Sequence, residues 1–285
     1  MSGWKLTWKR IHAGGPPAWI DGSVLCPDLL AELPHDRLMD TRLRVGQREL
    51  RLDDVFEAAP LAEDGGPMRM AIEGSHRFVR LGAGTRAGVL EVDGDGGDLL
   101  GAGLEGGEVR VKGSVGVLAG AGMKGGMLRI EGDAGDRLGG PLHGEAAGMG
   151  GGEILVAGNA GAEAGARMRR GLIAIAGSAG ELPGHHLIAG TVLVVQGDLA
   201  FPGIEMRRGT VIGLGSLRPP GVGFRRDGPV EPTWLRILGR RLEDLGFGPA
   251  ARSAWLSWLS PPLESWSGDR LSLGHGEVLV RGAAL

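Results

Sequence analysis

Two consecutive stretches of the chain decide its fold: GVLEVDGDGGDLLGAGLEG at residues 88–106 and GEVRVKGSVGVLAGAGMKG at residues 107–125. They align without gaps, and both have glycine at the first, seventh, tenth and fourteenth positions. The opening glycines of successive units are Gly88, Gly107, Gly126, Gly152, Gly171, Gly190 and Gly209, which lie 19 residues apart except for one interval of 26. A fixed period of this length indicates a repeat architecture.

Each unit begins with a short alternating segment of the kind that forms a β-strand. These segments are VLEVD at 89–93, EVRVK at 108–112, MLRIE at 127–131, EILVA at 153–157 and LIAIA at 172–176. Because the side chains of a strand alternate between two faces, the third and fifth residues of each unit share a face, and we expect that face to point inward. A further inward column is expected three residues before each opening glycine, at Leu104, Met123, Met149, Met168, Leu187 and Met206.

A unit of 19 residues is too short for a helix pair, and no apolar period of 3.6 residues is present. We therefore predict an all-β fold, a right-handed parallel β-helix (solenoid) in which each unit forms one coil and glycines occupy the corners. The predicted segments are a small N-terminal α/β cap at 1–67, the solenoid at 68–216, and a C-terminal helical cap with a closing strand at 217–285.

The flanking segments show their own local patterns. N-terminal to the array, we predict a strand at 4–9, a short helix at 27–33, a hairpin at 41–52, a helical turn at 53–59 and a degenerate opening coil at 68–74. C-terminal to it, we predict helices at 233–246 and 250–259, which cap the array or dock on a neighbouring protein, and a strand at 271–281. The array has one insertion, at 141–152, which is either a contact site for a partner or a tolerated surface loop.

The glycine pattern G-x5-G-x2-G-x3-G, from Gly88 to Gly209, resembles the β-helical domain of two protein families. These are the C-type subunit of formylmethanofuran dehydrogenase, and the C-terminal part of the glutamate synthase large subunit. The flanks at 26–56 and 266–282 are similar to the formylmethanofuran dehydrogenase family. Arginine outnumbers lysine 27 to 4, which favours a GC-rich bacterial source and the bacterial counterpart of this family, found in a formyltransferase/hydrolase complex.

The resemblance implies a non-catalytic scaffold subunit in tetrahydromethanopterin-linked one-carbon metabolism. The implied partners are an amidohydrolase-like chain (A-type), a B-type chain and a formyltransferase chain (D-type). In this interpretation zinc, and any molybdenum or tungsten cofactor, belongs to partner subunits, and this chain holds no cofactor and no catalytic residue. The resemblance also implies a methanofuran-type carrier, which bears a polyglutamyl tail.

Basic side chains recur just before the opening glycines. Two positions before them stand Glu105, Lys124, Gly150, Arg169, Ile188 and Arg207, and the following position adds Arg170 and Arg208. Stacked coils would bring the two arginine pairs to one side, about 10 Å apart. Because guanidinium groups bind carboxylates in a bidentate manner, we predict that Arg169, Arg170, Arg207, Arg208 and Lys124 bind the carrier tail. The alternative is a solvated basic edge or an ion-pair surface for a neighbouring protein.

Other candidate motifs favour structural interpretations. GAGLEG at 101–106 and GAGMKG at 120–125 match a dinucleotide fingerprint, but a strand rather than a helix follows each. DGDGGD at 93–98 is similar to calcium-binding turns, yet its acidic residues do not recur in later units. His185 and His186 are adjacent and would point to opposite faces of a strand, so no metal site is predicted. The single cysteine, Cys26, is expected to be a packed residue rather than a nucleophile.

Composition narrows the function classes. A net charge of −3 and a pI near 6.2 give no general attraction to nucleic acid. No apolar run approaches the roughly 20 residues that span a bilayer, and the start of the sequence lacks an apolar signal segment, so a cytoplasmic protein is expected. The alternatives to a scaffold role are a stand-alone solenoid enzyme, either an acyltransferase or a carbohydrate-acting protein, and a glutamate synthase-like support domain.

Overall fold

We analysed a computed structural model, which describes residues 3–9, 19–62, 65–74, 77–197, 199–215, 220–231, 233–248 and 262–281. Its elements are β1 (Gly3–Trp8), β2 (Ile20–Asp21), α1 (Pro27–Leu30), α2 (His35–Met39), β3 (Arg42–Val45), β4 (Arg48–Arg51), α3 (Leu52–Val55), β5 (Phe56–Pro60), β6 (Arg69–Glu73), β7 (Phe78–Val79), β8 (Val89–Asp93), β9 (Glu108–Val111), β10 (Met127–Ile130), β11 (Glu153–Val156), β12 (Leu172–Ile175), β13 (Thr191–Val194), β14 (Arg208–Gly213), β15 (Arg225–Val230), α4 (Trp234–Asp244), β16 (Leu263–Gly268) and β17 (His275–Arg281). The prediction of a strand-rich fold is confirmed.

The repeats form a parallel ladder. Strands β8 to β14 pair side by side in sequence order, and equivalent residues of successive units lie opposite one another, as Leu90, Val109 and Leu128 do. A second line of parallel bridges links successive units farther along, for example Val115 with Ala134 and Ala134 with Ala160. The handedness and closure of the coils, and the three-segment division of the chain, stay predictions.

The inward columns predicted from the alternation are buried. Each residue of the column before the opening glycines is fully inaccessible: Leu104, Met123, Met149, Met168, Leu187 and Met206 are all 0% exposed. The inward-facing residues of the strands join this column in one core cluster that runs through the array. Stacking one unit on the next therefore buries a continuous apolar core that no single unit has alone.

The N-terminal segment extends the same sheet. Strand β1 lies between β6, to which it is parallel, and β5, to which it is antiparallel. The helical turn predicted at 53–59 is wrong in its second half, because residues from Phe56 onward pair with β1 as strand β5 and bury the Phe56 ring completely. The predicted hairpin about Gly46 is present as β3 and β4 in a separate small sheet with β2 and β7.

The helix α4 differs from the predicted cap in its position. It packs on the outer face of the sheet, where Leu235 and Leu242 join an apolar cluster with residues of β11 to β14 such as Leu193. Those strands are apolar on both faces and need a cover, which α4 supplies. Arg241 Nε and Nη2 also donate hydrogen bonds of 2.8 and 2.9 Å to Glu153.

The ladder continues past the repeats through a strand. Strand β17 pairs in parallel with β14 and antiparallel with β16, so a strand and not α4 covers the last unit. The second predicted helix, at 250–259, lies outside the described residues. In the part of the chain that is described, no helix has the length and apolarity to cross a membrane.

Candidate functional site

The four arginines predicted from the repeat line one groove. Arg169 and Arg170 precede β12, and Arg207 and Arg208 lie two units farther along at the start of β14. Backbone hydrogen bonds from Arg169 N to Met149 O and from Arg207 N to Leu187 O, each 2.8 Å, hold these segments on the preceding units. The groove has a volume of about 570 Å³, and its lining residues are Gly150, Arg169, Arg170, Ile188, Ala189, Arg207, Arg208 and Leu273.

The groove is a concentration of positive charge. All four arginine side chains are exposed, and none has an acidic or hydrogen-bonding side-chain partner among the residues that the structure describes. The chain as a whole carries a formal charge of −3, so this surface has the opposite sign to the net charge. Arginine forks without counter-charges are suited to binding carboxylates or phosphates.

In earlier units, the basic side chains at the same positions form salt bridges with an acidic residue. Lys124 therefore differs from the four arginines. Lys124 Nζ lies 2.8 Å from Glu105 Oε1, and Arg86 Nε lies 3.1 Å from Glu105 Oε2. The hydrogen bond from Lys124, followed by that from Arg86, lowers the pKa of Glu105. Lys124 does not line the groove, although the sequence placed it in the same column.

A second cavity adjoins the groove. Its volume is about 470 Å³, and its lining residues are Ala146, Ala147, Arg167, Arg169, His186, Ile188 and Arg207. Arg169 and Arg207 border both cavities, so the basic surface continues from one into the other. Ala146 and Ala147 belong to the insertion at 141–152, which therefore forms one wall of this surface.

His185 and His186 lie together, contrary to the prediction of opposite faces. They sit in a turn before β13, and the φ of 53° at His186 turns its ring toward that of His185. The ring centroids are 4.2 Å apart. His186 Nδ1 lies 3.2 Å from Glu205 Oε2, and His185 Nδ1 lies 3.7 Å from Glu163 Oε1. Burial, and then the neighbouring His186, lower the pKa of His185, which favours its neutral form.

One position of the repeat signals this cluster in the sequence, although the prediction above did not use it. The turn reads Leu-Gly-Ala-Gly in the units that end at Gly84 and Gly103, whereas the last glycine is replaced by Arg167, His186 and Glu205 in the last three units. Loss of a glycine from one position of a glycine-cornered repeat marks side chains that the turn presents outward.

Cys26 and the Asp/Gly turn have structural roles. Burial raises the pKa of Cys26 to about 11, and its thiol donates to Ser23 O at 3.3 Å and Ala83 O at 3.4 Å. A thiol held protonated is a poor nucleophile. Asp95 and Asp98 each accept a hydrogen bond from a backbone N–H of the next unit, at Ser114 and Val117. These carboxylates hold successive units together.

Comparison with solved structures identifies a close structural relative. The chain superposes with a TM-score of 0.85 and 37% identity on a chain of the formyltransferase/hydrolase complex (FhcABCD) from Methylorubrum extorquens, whose crystal structure contains methylofuran. The match covers 99% of this chain and 100% of that chain. No protein-family model matches the chain, and the search of curated proteins found no match.

Proposed function

This chain belongs to the family of the formyltransferase/hydrolase complex chain that it matches, and we propose that it serves as the C-type subunit of such a complex. In this proposal the repeats close into a right-handed β-helix that provides rigidity and a docking face. The proposed partners are an amidohydrolase-like chain (A-type), a B-type chain and a formyltransferase chain (D-type). The catalytic groups and the metal of formyl transfer would belong to those partners.

We further propose that the arginine groove guides the polyglutamyl tail of a methanofuran-type carrier. The observation that carries this proposal is the set of four exposed guanidinium groups along one groove of about 570 Å³, with no counter-charge among the described residues. A chain of carboxylates supplies the missing charges in a flexible form, and the spacing of about 10 Å between the two pairs suits several consecutive carboxylates better than one small anion. The methylofuran in the related complex supports a carrier of this class.

Co-purification tests the complex-membership proposal first. A tagged full-length chain is isolated from its native cells, the accompanying proteins are identified by mass spectrometry, and formyl transfer is assayed. A stable assembly with formyltransferase and amidohydrolase-like chains, active only as a whole, is expected. Recovery of the chain alone with an activity of its own would contradict the scaffold proposal and favour a stand-alone solenoid enzyme.

Charge reversal in the groove then tests carrier binding within the purified complex. The variants are Arg169→Glu with Arg170→Glu, and Arg207→Glu with Arg208→Glu. The matched control is Arg42→Glu with Arg44→Glu, which makes the same change of charge on exposed residues of β3. Affinity for a synthetic oligoglutamate should fall at least tenfold in the groove variants, and the wild-type affinity should weaken as salt increases.

Two outcomes would contradict the carrier proposal. The first is unchanged oligoglutamate affinity in a groove variant that still assembles. The second is loss of assembly in the groove variants with normal assembly of the Arg42/Arg44 control, which would assign the groove to a partner protein. Arg→Lys variants refine the result, because they keep the charge but lose the bidentate fork.

A further inference from the structure

One corner of the repeat carries large polar side chains in the last three described units. In the early units this corner holds glycine with positive φ, 72° at Gly84 and 67° at Gly103. Arg167, His186 and Glu205 occupy the equivalent corner with φ values of 53°, 53° and 58°. Side chains disfavour this left-handed conformation, so three successive units depart from glycine at a steric cost. Positive φ also occurs at non-glycine residues of another turn of the repeat, such as Leu99 and Leu118, so the polar side chains and not the backbone conformation distinguish this corner.

The backbone stacks these residues in a fixed order. Arg167 N donates to His185 O at 2.9 Å, and His186 N donates to Ile204 O at 2.9 Å. Glu205 N donates to the carboxylate of Asp269 at 3.0 Å, and Asp269 is only 1% exposed. The corner is therefore anchored in the body of the protein and not in a free loop.

The side chains of this corner converge. Ligand atoms of His185, His186 and Glu205 all lie within 4.8 Å of one another. The side chains of the two histidines are 24% and 33% exposed, and that of Glu205 is 55% exposed, so the cluster is partly shielded but open to an ion from solvent. Glu163 Oε1 lies 3.7 Å from His185 Nδ1, which is longer than a hydrogen bond, and a small side-chain rotation would let this carboxylate orient a metal-bound imidazole.

We propose that His185, His186 and Glu205 bind a divalent transition-metal ion of the zinc class. Two imidazoles and one carboxylate are a ligand set that zinc accepts, whereas magnesium and calcium favour oxygen ligands. A tetrahedral ion with bonds of about 2.0–2.1 Å keeps its ligand atoms about 3.3 Å apart. Side-chain rotations close the remaining gap, because the Glu205 side chain is exposed and both imidazoles are partly exposed.

The fourth ligand comes from the neighbouring cavity. His186 lines the cavity of about 470 Å³ together with Arg167, Arg169 and Arg207. An anion in this cavity would contact guanidinium groups on one side and the metal ion on the other. The site thus takes water or a carboxylate as an exchangeable fourth ligand, and it is independent of whether the arginine groove binds a carrier.

Metal titration of the isolated full-length chain tests the proposal without any carrier or activity. After treatment with a chelator, the chain is titrated with Zn²⁺ by calorimetry and with Co²⁺ by visible absorption, which reports the coordination geometry. We expect one ion per chain and a rise in melting temperature with Zn²⁺. His186→Gln and Glu205→Gln should each weaken binding at least tenfold, and His185→Gln combined with His186→Gln should abolish it.

His143→Gln is the matched control, since His143 is exposed in the insertion outside the cluster. It should bind the ion as the wild type does. Circular dichroism identifies any variant that fails to fold, and Glu205→Gln, on a different unit from the histidines, provides a second route to the same answer. The proposal is overturned if wild type binds no ion at 100-fold excess of Zn²⁺, or if the cluster variants bind as tightly as His143→Gln.

Discussion

Replacement of Gly126 by alanine should destabilise the protein much more than the same replacement at Gly103. Both glycines lie in the left-handed region, with φ of 74° and 67°, so the conformational cost of a Cβ atom is similar. Their surroundings differ. A Cβ at Gly126 would lie 2.7 Å from Gly107 O and 2.8 Å from Gly106 C, which are backbone atoms of the preceding unit and its boundary. A Cβ at Gly103 meets nothing within 4 Å.

The expected magnitudes follow from these contacts. The left-handed conformation costs about 1–2 kcal/mol for a non-glycine residue. The more restricted unfolded chain offsets about 0.4–1 kcal/mol of that cost. Gly103→Ala should therefore lose about 1 kcal/mol. Gly126→Ala adds an overlap that only a separation of neighbouring units relieves, at about 1–3 kcal/mol, for a total of about 2–4 kcal/mol.

Thermal unfolding followed by circular dichroism measures the difference. With a shift of about 2–4 °C per kcal/mol for a chain of this class, Gly103→Ala should lower the melting temperature by about 2–4 °C and Gly126→Ala by about 5–15 °C. Equal losses at the two positions would refute the argument that close stacking requires glycine at the unit boundary. The chain itself supports the tolerance of the open corner, because Arg167, His186 and Glu205 occupy it in other units.

Three further outcomes follow from the contacts of single side chains. Because the pKa of Cys26 is raised to about 11, its thiolate is about 100-fold scarcer at pH 8 than that of a free cysteine. Alkylation of Cys26, followed by mass spectrometry, should therefore be correspondingly slower in the folded protein than in protein unfolded with urea. Equal rates in the two states would show that the thiol is accessible. Burial raises the pKa of Glu277, so its contribution to stability is present below its ordinary pKa and is lost as pH rises through the raised value. Glu277→Gln should flatten the dependence of the melting temperature on pH in this range, and a dependence like that of the wild type would contradict a raised pKa for Glu277. Arg241→Met removes two hydrogen bonds to Glu153. Because the Arg241 side chain is half-exposed, the free energy of unfolding in urea should fall by no more than about 1 kcal/mol, and hydrogen exchange in α4 should become faster. A loss above about 3 kcal/mol would show instead that the pair anchors the helix.

The repeat strands could be predicted from the sequence because their information is local. Alternation within VLEVD or EVRVK predicts which residues face the core, and burial of Leu90 and Val109 confirms it. The family resemblance, drawn from the glycine spacing and the flanking segments at 26–56 and 266–282, is likewise confirmed by the structural match. Strand β5 was missed because its acidic and alanine-rich sequence has little strand preference of its own, and only pairing with β1 makes it a strand.

The candidate site was predictable only in part. The spacing of Arg169, Arg170, Arg207 and Arg208 placed them in one column, and the structure brings all four to one groove. Lys124 does not line the groove, and its ammonium group lies 2.8 Å from Glu105 in a salt bridge. The position of α4 depended on the outward apolar residues of β11 to β14, whose continuous runs are visible in the sequence but do not name the element that covers them.

The sequence by itself determined the period, the strands, the inward columns and the family of this protein. Each unit contacts mainly its neighbours, so a residue's role follows from its position within the 19-residue repeat. The tertiary structure decided the pairing of His185 with His186 and the convergence of Glu205 on them. Those contacts depend on a left-handed conformation at His186, a residue that does not favour it, and on the directions in which side chains of separate units point. The spacing of residues along the chain encodes neither of these.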